Sequence, residues 1–326
     1  MPSAHFWRGP CVAFLRMPAT KTVAILAMLP SALFAQSLLP QREQTEQIRT
    51  SKLALDQEWR GAKIGGLGPS ESTGTDDAFG AQVILKDRPD TRAFQASLET
   101  AAFYTDNVAL ARRGKQGDSF LNSTLALGWR RSLTDRLSAS LNGRYGLFRY
   151  NQFSVLDFQS LSVDATLGYR LPGQVDIFTG YGYAQFSTRQ GYKEFYREHG
   201  WNVGVQRIFQ LSRAHAIVAG ISAQWTWAAP EAAQRDRYSA FFGYHLQATE
   251  KLSADIIYRY LYFDFRDASE GRGDSNHSLA LALRYDATEW LSITGTMQGI
   301  WNRSSESFFN YDAMNVGGSV GLNARF

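Results

Sequence analysis

An all-β chain, closed as a transmembrane antiparallel up-and-down barrel of about 12 strands, is the fold class this sequence predicts. Three observations predict it. From residue 93 onward apolar and polar side chains alternate with a period of two, in segments long enough to cross a tilted membrane path. The connections between the segments are long and short in turn, the arrangement of a barrel with long outer loops and tight inner turns. Tyr and Trp collect at both ends of the segments, where the two lipid–water interfaces would lie.

The chain begins differently. Residues 1–35 read as a signal peptide, with Met17 an alternative start: Lys21 supplies charge, Val23 to Leu29 is apolar, and Ala35 is a small residue at the cut before Gln36. Cys11, the single cysteine, lies upstream of Met17, so a chain started there has no thiol chemistry. Residues 36–92 read as a periplasmic segment, linker or plug. Within them "QREQTEQIRTSKLALDQEWR" (41–60) has helix-forming composition, and 65–77 is Gly- and Ser-rich.

The barrel spans 93–326. Its segments are 93–104, 119–132, 137–150, 157–171, 174–187, 199–210, 215–227, 237–248, 251–263, 277–286, 290–302 and 313–326. In 215–227, Ile217, Ala219, Ile221, Ala223, Trp225 and Trp227 share one parity; in 251–263, Leu252, Ile256, Tyr258, Tyr260 and Tyr262 do. "LTDR", "PG", "LSRA", "ATE" and "DATE" are the tight turns. The count becomes 14 if parts of 58–86 join the sheet. An even number keeps both ends of the barrel on the inner side.

The wet parity assigns Glu99, Arg130, Arg144, Asp164, Arg170, Asp176, Asp255, Arg259 and Arg284 to the lumen, with Arg325 beside them. Such charges either bias ion passage through a water-filled pore or pair and close it. Phe178, Val218, Phe241, Ile257 and Leu261 share that parity and predict partial filling. Trp129, Tyr169, Trp227, Tyr262, Trp290 and Trp301 form the aromatic girdle. In the last segment Val320, Leu322, Ala324 and Phe326 share the oily face, and the chain stops on the aromatic residue in mid-pattern.

With these features the chain resembles the outer-membrane β-barrels of Gram-negative bacteria, the porin-like superfamily. The resemblance covers 93–326 and the signal peptide. It implies a place in the outer membrane, among lipid and lipopolysaccharide. It also implies handling by periplasmic chaperones and the barrel-insertion machinery, with Val320, Leu322, Ala324 and Phe326 as the signal that machinery reads.

Composition narrows the function. The sequence holds 34 bases and 30 acids, but Arg8, Arg16 and Lys21 fall in 1–35 with no acid. The remainder carries 31 bases against 30 acids, too even for a nucleic-acid face. Mean hydropathy is −0.29. After residue 35 no 18-residue apolar run exists, which excludes a helical membrane protein.

The leading expectation is a narrow passive channel for small hydrophilic solutes or an exported polymer. The second is a non-transporting surface or structural barrel whose outer loops bind a ligand or partner, and the third a hydrolase at the barrel rim. No catalytic residue, cofactor or metal site is assigned. His277 stands near Asp274 and Ser275 in the segment 264–276, expected to be an outer loop, but nothing orders the three into a nucleophile and base. The same segment carries "GRGDS" (271–275), three common polar residues that meet readily by chance.

Overall fold

The computed structural model describes residues 93–266 and 271–326. The signal peptide and the segment 36–92 lie outside the described residues. Twelve strands follow in order: β1 Phe94–Thr105, β2 Asp118–Ser132, β3 Leu137–Tyr150, β4 Phe158–Leu171, β5 Val175–Thr188 and β6 Glu194–Gln210, then β7 His215–Ala229, β8 Asp236–Gln247, β9 Leu252–Phe265, β10 Arg272–Asp286, β11 Leu291–Ser304 and β12 Tyr311–Arg325. Each pairs antiparallel with its sequence neighbours, and β1 pairs with β12 to close the barrel. Closure leaves no edge for a further strand, so the sheet has twelve strands and not fourteen.

Several strands reach further outward than the alternation shows, β6 and β10 furthest: β6 begins at Glu194 rather than 199, and β10 at Arg272 rather than 277, opposite a β9 that runs to Phe265. "EFYRE" carries charges on both faces and "RGDSN" has no large apolar side chain, so no oily parity marks them. Their backbones still complete the ladder, Arg272 opposite Phe265 and Asp274 opposite Phe263. The Arg-Gly-Asp triplet is therefore strand and not loop. Asp274 is buried and bonded by Arg272, which removes it from an adhesive surface.

Four of the five tight turns share one device. The hydroxyls of Thr134, Ser212, Thr249 and Thr288 each accept from the backbone N–H two and three residues on, at 3.0–3.3 Å. The fifth turn uses positive φ instead, +79° at Gly173 and 61° at Gln174.

Inside the barrel, glycine faces phenylalanine across the ladder. Phe178 is opposite Gly204, Phe241 opposite Gly220 and Phe103 opposite Gly317. In each pair the ring occupies the space that a Cβ on the glycine would need. The ring covers the bare backbone and the sheet bends around it.

Candidate functional site in the barrel lumen

The lumen is lined by every second residue of each strand, and its two walls differ. On β4 the outward residues Leu161, Val163, Leu167 and Tyr169 are exposed on the outer surface of the barrel. The inward Ser162, Asp164, Thr166 and Arg170 are half-exposed, so water reaches this wall from within. Arg144 on β3 pairs with Asp164 at 3.4 Å, and Asn142 donates to the same carboxylate at 2.8 Å. Arg170 pairs with Asp176 on β5 at 2.8 Å near the inner rim. Arg284 and Asp286 pair at 2.8 Å on β10. The first three contacts hold charge in a polar, accessible stripe along β3–β5.

The adjoining wall is filled. Ile208, Ala216, Val218, Phe241 and Ile257 form one buried apolar cluster on β6–β9. His245 on β8 and Asp255 on β9 lie within it at 2.6 Å, Nδ1 to carboxylate, and Arg259 is buried one turn of the pleat further out. A carboxylate and an imidazole removed from water persist there because each is the other's partner.

Toward the outer rim the lumen is filled along β1–β6. Phe103, Phe120, Phe148, Tyr150, Phe158, Phe186 and Tyr196 point inward and are buried together. Phe148 and Phe158 stack with centroids 4.3 Å apart, and Phe103 and Phe120 stack at 5.5 Å. The loop 106–117 folds into this mouth and adds Val108 and Leu110. Asn107 locks it: its side-chain amide donates to the carbonyls of Ala111 and Asp312, and its oxygen accepts from Ala111 N–H, all at 2.8 Å.

The aromatic mouth meets charge on the other side. Arg237 on β8 is ion-paired with Glu198 on β6, which also accepts from the Tyr196 hydroxyl. Arg272 is held by Asp274 and packs between Phe265 and Phe309, 4.1 and 3.4 Å from the ring centroids. The loop before β8 turns inward and buries Arg235 over Phe263 at 4.9 Å.

The sequence-assigned charges fall on the lumen parity at two depths. Arg130, Arg170, Asp176, Asp255 and Arg284 are near the inner rim, and Glu99, Arg144, Asp164 and Arg259 at mid-height, with Asp255 and Arg259 in the filled wall. The girdle residues Trp129, Tyr169, Trp227, Tyr262, Trp290 and Trp301 project outward near the two ends of the barrel. Val320, Leu322 and Phe326 project outward too, with Ala324 beside them.

What the sequence reading missed is the aromatic mouth. Its signal was present: Phe103, Phe120, Phe148, Phe158 and Phe186 break the polar parity, each at the loop end of its strand. His277 and Asp274, neighbours in the sequence, do not meet in the structure. The two sit on opposite faces of β10, and His277 accepts or donates outward to Tyr258 at 2.8 Å. His199 and His215 likewise face outward and bond Tyr181 and Tyr244 at 2.6 and 2.5 Å.

Among solved structures, an outer-membrane channel from Pseudomonas putida F1 is similar at a TM-score of 0.50 and 12% identity, over 73% of this chain and 97% of that one. The likeness shows a shared fold, a closed antiparallel β-barrel. The translocator domain of the autotransporter NalP from Neisseria meningitidis is similar at 0.43 and 12%, over 85% and 98%. The CymD monoaromatic hydrocarbon channel is similar at 0.40 and 9%, over 72% and 89%. In sequence, residues 93–241 match the family described as "Putative MetA-pathway of phenol degradation". No curated protein matches the chain.

Proposed function

We propose that this outer-membrane barrel is a narrow passive channel for small solutes. The observation that carries the reading is the polar stripe of β3–β5, where lumen-facing Asp164, Thr166 and Arg170 stay accessible to water inside a closed barrel. A filled scaffold would bury that wall as β9 buries its own. Charged groups along such a stripe hold water and lower the cost of passage for a polar solute.

The outer mouth sets the size. A polymer needs a wider path than the packed rings leave, so small molecules fit better than an exported chain. A solute with one polar edge and one flat apolar face, phenol being the simplest, suits both the rings and the stripe; the description of the matched family supports that class. Opening then requires the loop 106–117 to leave its seat, and Asn107 is the side chain that holds it.

Single-channel recording on the refolded full chain tests this. Asn107→Ala and Phe158→Ala are expected to raise the open fraction and the conductance, respectively. A folded barrel silent in all three forms would favour the second reading, a scaffold closed by its own rings.

A further inference from the structure

A third wall of the lumen is polar without charge. From Asn276 to Ala282 on β10, Ser292 to Asn302 on β11 and Ala313 to Gly321 on β12, no inward side chain is ionisable. At its centre Gln298 and Asn315 face each other across β11 and β12, each 1% exposed. Asn315 donates its amide N–H to the Gln298 side-chain oxygen at 3.4 Å. The other two amide atoms, Gln298 Nε2 and Asn315 Oδ1, are buried with no hydrogen-bond partner among the described residues. Exchanging O and N in both amides reverses the need and keeps it: one donor and one acceptor stay unmet. Polar groups are costly to bury in that state, so the pair calls for a partner.

The pair stands at the root of the loop that folds into the mouth. Thr105, opposite Asn315 on β1, is the last strand residue before the loop 106–117, and its hydroxyl accepts from the Asn107 N–H at 3.3 Å. One pleat step outward, Ile300 and Ala313 lie opposite each other and share a buried cluster with Val108 and Leu110 of that loop. The immediate neighbours are small: Ala280 is opposite Gln298 on β10, and Gly317 is the next inward residue after Asn315 on β12. Withdrawal of the loop therefore uncovers the amides and leaves little bulk beside them.

We infer that Gln298 and Asn315 form a hydroxyl-binding subsite, uncovered when the loop leaves its seat, for an uncharged solute that carries an alcohol or phenol group. The inference rests on the reading of the barrel as a channel that opens at this loop. A hydroxyl donates and accepts at once, so it meets Asn315 Oδ1 and Gln298 Nε2 together. An ether accepts but cannot donate, and a hydrocarbon does neither. A carboxylate brings acceptors alone, with a charge, to a wall that has no opposite charge to receive it. The Phe103 ring lies over Gly317, one step from Asn315, and offers a flat face to an aromatic solute.

The test is saturation-transfer NMR on the refolded full chain in detergent, with protein-free micelles as the blank and phenol, cyclohexanol, anisole and benzoate as probes. Phenol and cyclohexanol are expected to bind about tenfold more tightly than anisole and benzoate, the factor one well-made hydrogen bond supplies. Gln298→Met with Asn315→Leu should bind phenol and anisole equally. It should unfold in urea no earlier than the wild type, because both unmet groups go together. Asn107→Ala, which frees the loop, should strengthen phenol binding and keep the preference over anisole. Equal affinity of the wild type for phenol and anisole would overturn the subsite, and so would an undiminished preference in the folded double variant. A preference found in a chain that passes no current would uphold the subsite and count against the channel; current without preference would do the reverse.

Discussion

Phe94 and Phe326 exchange two backbone hydrogen bonds, Phe94 N–H to Phe326 at 3.2 Å and Phe326 N–H to Phe94 at 2.9 Å. They are the last rungs of the β1–β12 ladder, one residue beyond the pair Gln95 and Arg325. Removing Phe326 takes away both bonds and an outward aromatic at the inner interface. Each backbone bond contributes about 1 kcal/mol net. Deletion of Phe326 should therefore slow barrel closure during refolding into vesicles, while Phe326→Tyr should restore it. Refolding followed by tryptophan fluorescence reads the rates, and equal rates for the deletion would deny the residue a part in closure.

The lumen arginines divide by wall. Arg144 stands on the accessible stripe beside Asp164, so Arg144→Glu should fold and place two carboxylates in the water path. Ion selectivity, read as reversal potential in a salt gradient, should move toward cations. Arg259 is buried in the filled wall, 5% exposed. There a glutamate brings an uncompensated buried charge, with a cost of about 3–5 kcal/mol. Loss of folded protein, rather than altered selectivity, is expected for Arg259→Glu.

His245 and Asp255 give a cycle of their own. His245→Leu leaves the Asp255 carboxylate buried without its 2.6 Å partner, and should destabilise by about 3–5 kcal/mol. Replacing both with leucine removes the charge together with its partner and should recover most of that loss, because the surrounding Ile257 and Val218 are apolar. Urea unfolding in detergent measures all four forms. Additive losses would mean that the pair does not act as a unit.

Strand number, topology and the lumen parity could be read from sequence because each rests on a period of two repeated over many positions. Leu252, Ile256 and Tyr258 face outward from the barrel as their spacing required. The outer ends could not be read that way. In "EFYREHG" the ladder continues through Glu194 and Arg197, but neither face is uniformly oily above the lipid. The mouth was hidden for a related reason: Phe148 and Phe158 meet only when adjacent strands are set in register, which no single segment encodes. Inward-folding loops, which bury Val108 and Arg235, depend on tertiary hydrogen bonds such as Asn107 to Asp312.

The pairing of Phe178 with Gly204 makes a last prediction. Gly204 has an ordinary backbone conformation, so alanine costs little by torsion alone. Its Cβ, however, would enter the Phe178 ring and lie 2.8 Å from the Ile221 carbonyl oxygen. The ring can move aside, but the carbonyl belongs to the β6–β7 ladder and moves only with the strand. Overpacking of this kind costs about 1–3 kcal/mol. Gly204→Ala should lower the midpoint of urea unfolding accordingly, and Phe178→Ala in the same chain should recover part of the loss and not all of it. Full recovery would assign the whole cost to the ring; no recovery would assign it to the backbone of β7.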